Sequence, residues 1–236
     1  MGRRPDLGTA PGRWVAVAGS APGLSSLLER GTWKELGRRP GRVTFRIETP
    51  RGPLFAKRYA PASRLRLGRT PHRAFARARL LHAAGVSTPA PLGLYVRGRL
   101  WPREAVLVTG WLEDAVPWAR FLREVASERE NGAAAVAALV AHLHRLGWAH
   151  SSLTEHLVFA RHRGGYRPFL LGPEGVVRPA TRRRRVGNLA ELAREVSPET
   201  LGLRERWAGL RAYGAVLGLE REALRRLWRE VRRAGV

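Results

Sequence analysis

The sequence predicts an α+β protein of two lobes, a small antiparallel β-sheet carrying one helix and then a mainly helical lobe. Three observations support this. Between Gly31 and Leu112 the apolar runs are short, often alternate with polar residues and are bounded by Gly and Pro, which is the pattern of strands. One segment in that stretch, "RTPHRAFARARLLHAAG", has helical periodicity instead. From Glu113 onward apolar residues recur three and four apart in segments closed by Gly, as on the buried face of helices. At 236 residues the chain is long enough for one large domain or two lobes with a sizeable core. The expected division is an N-terminal extension over 1–30, a strand-rich lobe over 31–112 and a helical lobe over 113–236.

Residues 1–30 are rich in Gly and Pro with one short helical segment, "LSSLLERG", and are expected to pack loosely. "GTWKEL" is a candidate strand. "RVTFRIET" (42–49) alternates apolar and polar residues, "PRG" turns, and "PLFAKRY" (53–59) returns, which makes a β-hairpin. In the helix that follows, Pro71 suits the first turn, Phe75, Ala78 and Leu81 form the stripe, and Gly85 ends it. "STPAPLGLYVRG" turns back to strand, and "EAVLVTGWL" (104–112) is a continuous apolar run of the kind buried on both faces. "PWARFLREVASERE" reads as one helix. "NGAAAVAALVAHLHRLG" is a stronger one, with Val136, Leu139, Val140, Leu143 and Leu146 on one stripe and Gly147 at its end. The loop "WAHSSLTEHLVF" (148–159) leads into a strand "LVFA", a turn at "RGG" and a strand "PFLL" ending in "GPEGV". Helices over 186–195, 203–214 and 219–234 close the chain.

The formal net charge is +24, supplied almost entirely by Arg, since Lys34 and Lys57 are the only lysines. Such an excess implies an anionic partner: a phosphorylated sugar or nucleotide, an acidic membrane surface, or nucleic acid. The competing reading is a solvated basic surface with no dedicated partner. The absence of cysteine excludes disulfides, thiolate chemistry and every zinc site that needs Cys, and fits a reducing, cytoplasmic setting. No stretch approaches a membrane span, and the N-terminal apolar run is too short and Gly-broken for a signal peptide. His142 and His144, two apart on a helix, do not share a face, so no metal pair is expected there. A serine hydrolase is disfavoured because no Gly-x-Ser-x-Gly elbow is present.

The order of elements resembles the protein-kinase-like fold. The words "GPLFAKRY", "AAGVSTPAPLGL", "AVLVTGWLE", "LVAHLHRLGWAHSSL" and "RAY" are similar to those of the Kdo/WaaP lipopolysaccharide kinases, over roughly Gly31 to Tyr213. The resemblance implies an ATP-dependent phosphotransferase that uses Mg²⁺, with a lipopolysaccharide precursor or other phosphorylated sugar as acceptor. It places Lys57 on the nucleotide phosphates, with Thr109 and Trp111 also on the nucleotide side. It also implies a helix carboxylate to orient the lysine, an aspartate in the loop after His150, and a metal-binding aspartate at the end of "PFLL".

Those acids are missing. "HRAFARARLLHAAG" contains no Asp or Glu, which leaves Glu104 as a distant candidate partner for Lys57. Aligned on His150, the loop puts Ser152 in the aspartate's place. Aligned on His156, it puts Ser151 there, so both registers give serine. In the metal motif Gly172 replaces the first acid and Glu174 matches the second, two residues on and about 6 to 7 Å away along an extended chain. Loss of general-base help costs about 10² to 10⁴ in rate, and loss of the metal ligand adds to that. His150 is expected to bond backbone near the metal strand, or, with Ser152 and Glu174, to serve what catalysis remains. Glu155 and His156 are the other candidate replacements. Arg182, Arg183, Arg184 and Arg185 form a candidate anion-binding run for a sugar phosphate or lipid head group. The expectation is therefore a pseudokinase with a binding or regulatory role, cytoplasmic or peripheral at the inner face of the membrane. An active but atypical sugar or lipopolysaccharide kinase and a basic nucleic-acid-binding protein are the alternatives.

Overall fold

The computed structural model describes residues 12–16, 21–60, 70–97 and 104–235. Their contacts divide them into two units. The first runs to His82 and resumes over Pro89–Trp111; the second comprises Ala83–Thr88 and the chain from Leu112 onward.

The first unit contains β1 (Gly12–Ala16), α1 (Ala21–Arg30), β2 (Thr32–Arg39), β3 (Arg42–Glu48), β4 (Leu54–Tyr59), α2 (Thr70–Ala83), β5 (Pro91–Arg97) and β6 (Glu104–Gly110). The strands form one antiparallel sheet in the order β1-β5-β6-β4-β3-β2. Side chains alternate between its faces, and each face buries its own cluster. On one face Leu24 and Leu28 of α1 pack with Phe45, Ile47, Ala56, Val106 and Val108. On the other, Ala74 and Phe75 of α2 pack with Tyr59, Leu94, Ala105 and Leu107. The central strand β6 is thus buried on both faces, as its unbroken apolar run requires.

One expectation is corrected here. The described part of the first thirty residues is not loosely packed: β1 pairs with β5, and Leu28 is fully buried. The apolar i, i+4 pair Leu24 and Leu28 is what drives this, because α1 can bury it only against the sheet. Gly93 of β5 permits the approach, since a Cβ there would lie 2.7 Å from Leu24 and 3.2 Å from Trp14. The first unit accordingly carries α1 as well as the expected α2.

The second unit contains β7 (Val116–Pro117), α3 (Trp118–Glu124), α4 (Arg129–Arg145), β8 (Ala149–His150), β9 (Leu157–His162), β10 (Gly165–Leu170), β11 (Val176–Val177), α5 (Arg182–Glu195), α6 (Leu203–Leu217) and α7 (Arg221–Gly235). A three-stranded sheet has the order β10-β9-β7, and β11 pairs with β8. α4 packs on α6, and α5 on α7. Residues 83–88 join this unit because the Leu170 N–H donates to Ser87 O at 2.8 Å and Arg167 donates to the Ser87 hydroxyl.

Two helix boundaries differ from expectation for identifiable reasons, besides an α6 that runs to Leu217 rather than 214 and an α7 that starts at Arg221 rather than 219. The single helix read over 117–130 is two, because Val125 leaves helical dihedrals (φ −113°, ψ 76°) and a 3-10 turn over Ala126–Glu128 intervenes. Arg129 donates to Leu122 O at 3.0 Å, which satisfies a carbonyl freed at the end of α3. α5 starts at Arg182 rather than 186, with Thr181 as its N-cap accepting from the Arg184 N–H. A run of four arginines hid that start, since positive charge opposes the helix dipole in a first turn.

Candidate functional site

In the first unit Lys57 lies on β4, opposite Thr44 of β3 and Leu107 of β6. It shares the α2 face of the sheet with Tyr59, whose ring centroid is 6.0 Å from the Lys57 amine. α2 presents no carboxylate to this face. Glu104 does not supply one. It lies on the opposite, α1 face with Arg58, whose Nε donates to Glu104 Oε1 at 2.5 Å, and Arg97 engages its other oxygen at 3.4 Å. The carboxylate that sequence reasoning offered as a substitute partner is therefore committed to two arginines, and β alternation is the signal that separates them. Thr109 is buried and donates its hydroxyl to Gly110 O. Trp111 lies under the Arg46 guanidinium, 4.7 Å from the ring centroid.

In the second unit the loop from β8 to β9 is held by a buried polar network. His144, His150, Asn188 and Tyr213 are each no more than 5% exposed. The His150 N–H donates to Asn188 Oδ1 at 3.1 Å, and Asn188 Nδ2 donates to His150 O at 2.7 Å. A backbone N–H can only donate and a carbonyl only accept, so this pair fixes the amide orientation. Asn188 Oδ1 then accepts from His144 Nε2–H at 3.2 Å, which leaves His144 Nδ1 to accept the Tyr213 hydroxyl at 2.9 Å. Glu191, one turn further along α5, accepts from the Thr154 N–H and hydroxyl, both at 3.0 Å, and ties down the far side of the loop.

His150 is fully used within this framework. Its Nδ1 accepts the Ser152 N–H at 3.2 Å, so Nε2 carries the proton and donates to Gly172 O at 3.1 Å. Burial pushes its pKa down, opposed by the bond to Gly172, so the folded protein holds it neutral. Its ring also fills the space beside Gly175, where a Cβ would meet Nε2 at 2.6 Å.

Ser152 and Gly172 are the positions that the family resemblance aligns with the loop aspartate and the metal-binding aspartate. Ser152 is half-buried and Ser151 exposed, and neither brings a carboxylate. Gly172 has left-handed backbone (φ 62°) and opens a 3-10 turn over Pro173–Gly175 that carries the half-buried Glu174. The His156 imidazole lies against Gly172. A Cβ on residue 172 would overlap its Cδ2 and come within 2.6 Å of Nε2. His156 is held there by its own Nδ1–H, which donates to Ser152 O at 2.9 Å, and by the Leu171 N–H, which donates to His156 O at 2.7 Å. The sequence named His156 as a candidate but gave no sign of this contact, because it depends on the fold bringing the loop to the end of β10.

The arginine run sits in the first turn of α5. Arg182 binds Glu230 of α7 with both Nε (3.0 Å) and Nη2 (2.5 Å). Arg184 and Arg185 donate back to Pro179 O (2.8 Å) and Ala180 O (2.9 Å). Three of the four are thus engaged within the protein, and Arg183 is exposed.

A β-sheet unit bearing a strand lysine, followed by a helical unit with a histidine loop and a β-hairpin, defines a protein-kinase-like fold. The chain matches the Lipopolysaccharide kinase (Kdo/WaaP) family over residues 48–213, and it belongs to that family. Among solved structures it is similar to "WaaP in complex with acyl carrier protein", with TM-score 0.62 and 21% identity over 94% of this chain and 99% of that one. It is also similar to an aminoglycoside-3'-phosphotransferase of type VIII, with TM-score 0.58 and 19% identity over 85% of this chain and 93% of that one. No curated protein matches it in sequence.

The family's chemistry implies ATP and Mg²⁺, and at residue 172 the second unit has no side chain to offer the cation. No group of three His, Asp or Glu side chains among the described residues is arranged to hold a metal. The space that a ligand on residue 172 needs is taken by imidazole.

The network carries a pH signature. Burial pushes the His144 pKa from 6.5 down to about 4, against the Asn188 bond, with Arg185 adding to the fall. The unfolded chain therefore takes up a proton below about pH 6.5 that the folded chain refuses until about pH 4. Stability from this residue is complete above pH 6.5 and is lost as pH falls, by a total on the order of 3 kcal/mol. Urea unfolding of the wild type should lose stability across this window. In His144→Gln, which cannot titrate, the slope should be shallower by up to about one proton; equal slopes would contradict a neutral buried His144.

Proposed function

We propose that this chain is a pseudokinase of the lipopolysaccharide kinase family, with a binding or regulatory role. The observation that supports the reading most is a loop held by hydrogen bonds from His150 and Asn188, with an uncharged serine and a glycine, Ser152 and Gly172, at the two positions where the resemblance puts carboxylates. A serine hydroxyl is uncharged near neutral pH and cannot take the acceptor's proton as a carboxylate does. Without an anionic ligand at residue 172, charge developing on a transferred phosphoryl group has no fixed cation beside it. Lys57 and the basic surface leave the chain able to hold an anionic ligand without turning it over.

The partner proposed is an anionic membrane surface, with adsorption at the cytoplasmic face. No helix among the described residues is long and apolar enough to cross a membrane. α7 supports adsorption instead. Its apolar side is taken up by the protein, with Leu224 and Val231 buried, and Arg221, Arg225, Arg226, Arg229, Arg232 and Arg233 are all exposed. At 100° per residue these six arginines fall within an arc of about 140°, an array suited to lipid phosphates. No aromatic side chain lies in that arc, as a single-stranded nucleic-acid groove would need.

Two measurements test this. Purified protein with ATP and Mg²⁺ should turn over below about 10⁻² s⁻¹, against about 1 to 100 s⁻¹ for working kinases. Turnover that disappears in Lys57→Ala or Glu174→Ala would overturn the pseudokinase reading and favour the atypical kinase. The protein should co-sediment with phosphatidylglycerol vesicles and not with neutral ones, and lose that binding in about 0.5 M salt or on Arg225→Glu/Arg229→Glu/Arg232→Glu. Salt-sensitive retention on DNA or RNA without vesicle binding would favour the nucleic-acid reading instead.

A further inference from the structure

The absence of an acid at residue 172 has two physical versions with different consequences. In one the position is merely vacant, and a carboxylate placed there recreates a cation ligand. In the other the space has been refilled. We infer the second: His156 closes the cation position, and Ser152, His156 and Gly172 form one interlocked unit that excludes a divalent ion from the end of β10. This inference rests on the pseudokinase reading but goes beyond it, since missing acids alone leave the position open.

The geometry is specific. The His156 ring lies where the first side-chain atom of residue 172 would stand, close enough that no side chain of any kind fits while the ring keeps its place. The ring is not a loose side chain that can turn aside at no cost. Its Nδ1–H is bound to Ser152 O at 2.9 Å, its N–H to Leu153 O at 3.0 Å, and its carbonyl accepts the Leu171 N–H at 2.7 Å. It also meets the His150 ring, centroid to centroid 4.7 Å, and His150 is itself pinned to Gly172 O and the Ser152 N–H. Moving His156 aside thus breaks a hydrogen bond and disturbs the buried histidine next to it. Gly172 is needed for two reasons at once: its left-handed φ of 62° and the absence of a Cβ. The residues at this corner are His156, Ser152 and, two positions on from Gly172, Glu174, where a kinase has the paired carboxylates that hold Mg²⁺.

The test is a thermal-unfolding cycle on the full chain with His156→Ala, Gly172→Ala and the double variant. The left-handed backbone strains Ala in both backgrounds and cancels, so the cycle isolates the contact. Gly172→Ala should lower Tm by roughly 5 °C or more in the wild type and by less than about half of that in the His156→Ala background. Equal losses in the two backgrounds, failure to fold in both included, would overturn the closure. Rescue of a non-folding Gly172→Ala by His156→Ala would support it. Gly172→Asp alone provides the second arm. It should gain no stabilisation from Mn²⁺ or Mg²⁺ added without nucleotide, whereas a cation-dependent rise in its Tm would show an open position. Either failure leaves the missing carboxylates, and hence the pseudokinase reading, in place; kinase turnover in the wild type would instead remove that reading itself.

Discussion

The side-chain amide of Asn188 is the contact on which the second unit's polar interior depends. It pairs in both directions with the main chain of His150, as a neighbouring strand would, and also accepts from His144. Through it α4, α5, α6 and β8 share one chain of hydrogen bonds, ending at the Tyr213 hydroxyl. Every member is buried, so each bond stands against a desolvated alternative, and leaving a single buried donor or acceptor without a partner costs about 1 to 3 kcal/mol. Burial also raises the Tyr213 pKa to about 12 and lowers that of His144 to about 4, which keeps both neutral and the directions of the bonds fixed.

The consequences reach the loop. With its main chain held by Asn188, His150 aims its ring at Gly172 O and fills the space above Gly175. Ser151 N–H donates to Gly175 O at 3.0 Å, and Val176 pairs with His150, so the end of the β10 segment is drawn against the loop. In that setting the carbonyl of Ser152 meets His156 Nδ1, and the imidazole is delivered to Gly172. The loop carries a serine and a histidine and lies against a glycine, and it is held by the main chain of His150 and the α5 side chains Asn188 and Glu191.

Much of the fold was legible in the amino-acid pattern. The β3–β4 hairpin, the doubly buried β6, the stripe of α4 and its stop at Gly147 follow from periodicity and turn residues. The packing of α1 was not legible, because its two buried leucines stand in a Gly- and Pro-rich segment whose composition suggests a tail. The start of α5 was obscured by arginines that oppose its dipole but are satisfied by Glu230 and by two carbonyls just upstream of the helix. At the site, the sequence shows residue by residue that Ser152 and Gly172 are not acids. What fills the space it does not show. Asn188 lies 38 residues from its partner His150, and His144 lies 69 from Tyr213, so no local pattern reports those bonds. The contact of His156 with Gly172 likewise exists only once the loop and the β10 turn are folded together.

The hydrogen bonds give each of three histidines a defined tautomer, one of them opposite to the other two, and this can be measured directly. Two-bond ¹H–¹⁵N correlation spectra of the histidine rings, recorded at about pH 8, above the ordinary histidine range, distinguish the two neutral forms. His144 and His150 should be protonated on Nε2, each with Nδ1 accepting a hydrogen bond, and His156 should be protonated on Nδ1, where it donates to Ser152 O. A His156 found as the Nε2–H form, or averaging between the two, would mean that its ring is not fixed to the loop and does not stand in the place of a side chain on residue 172.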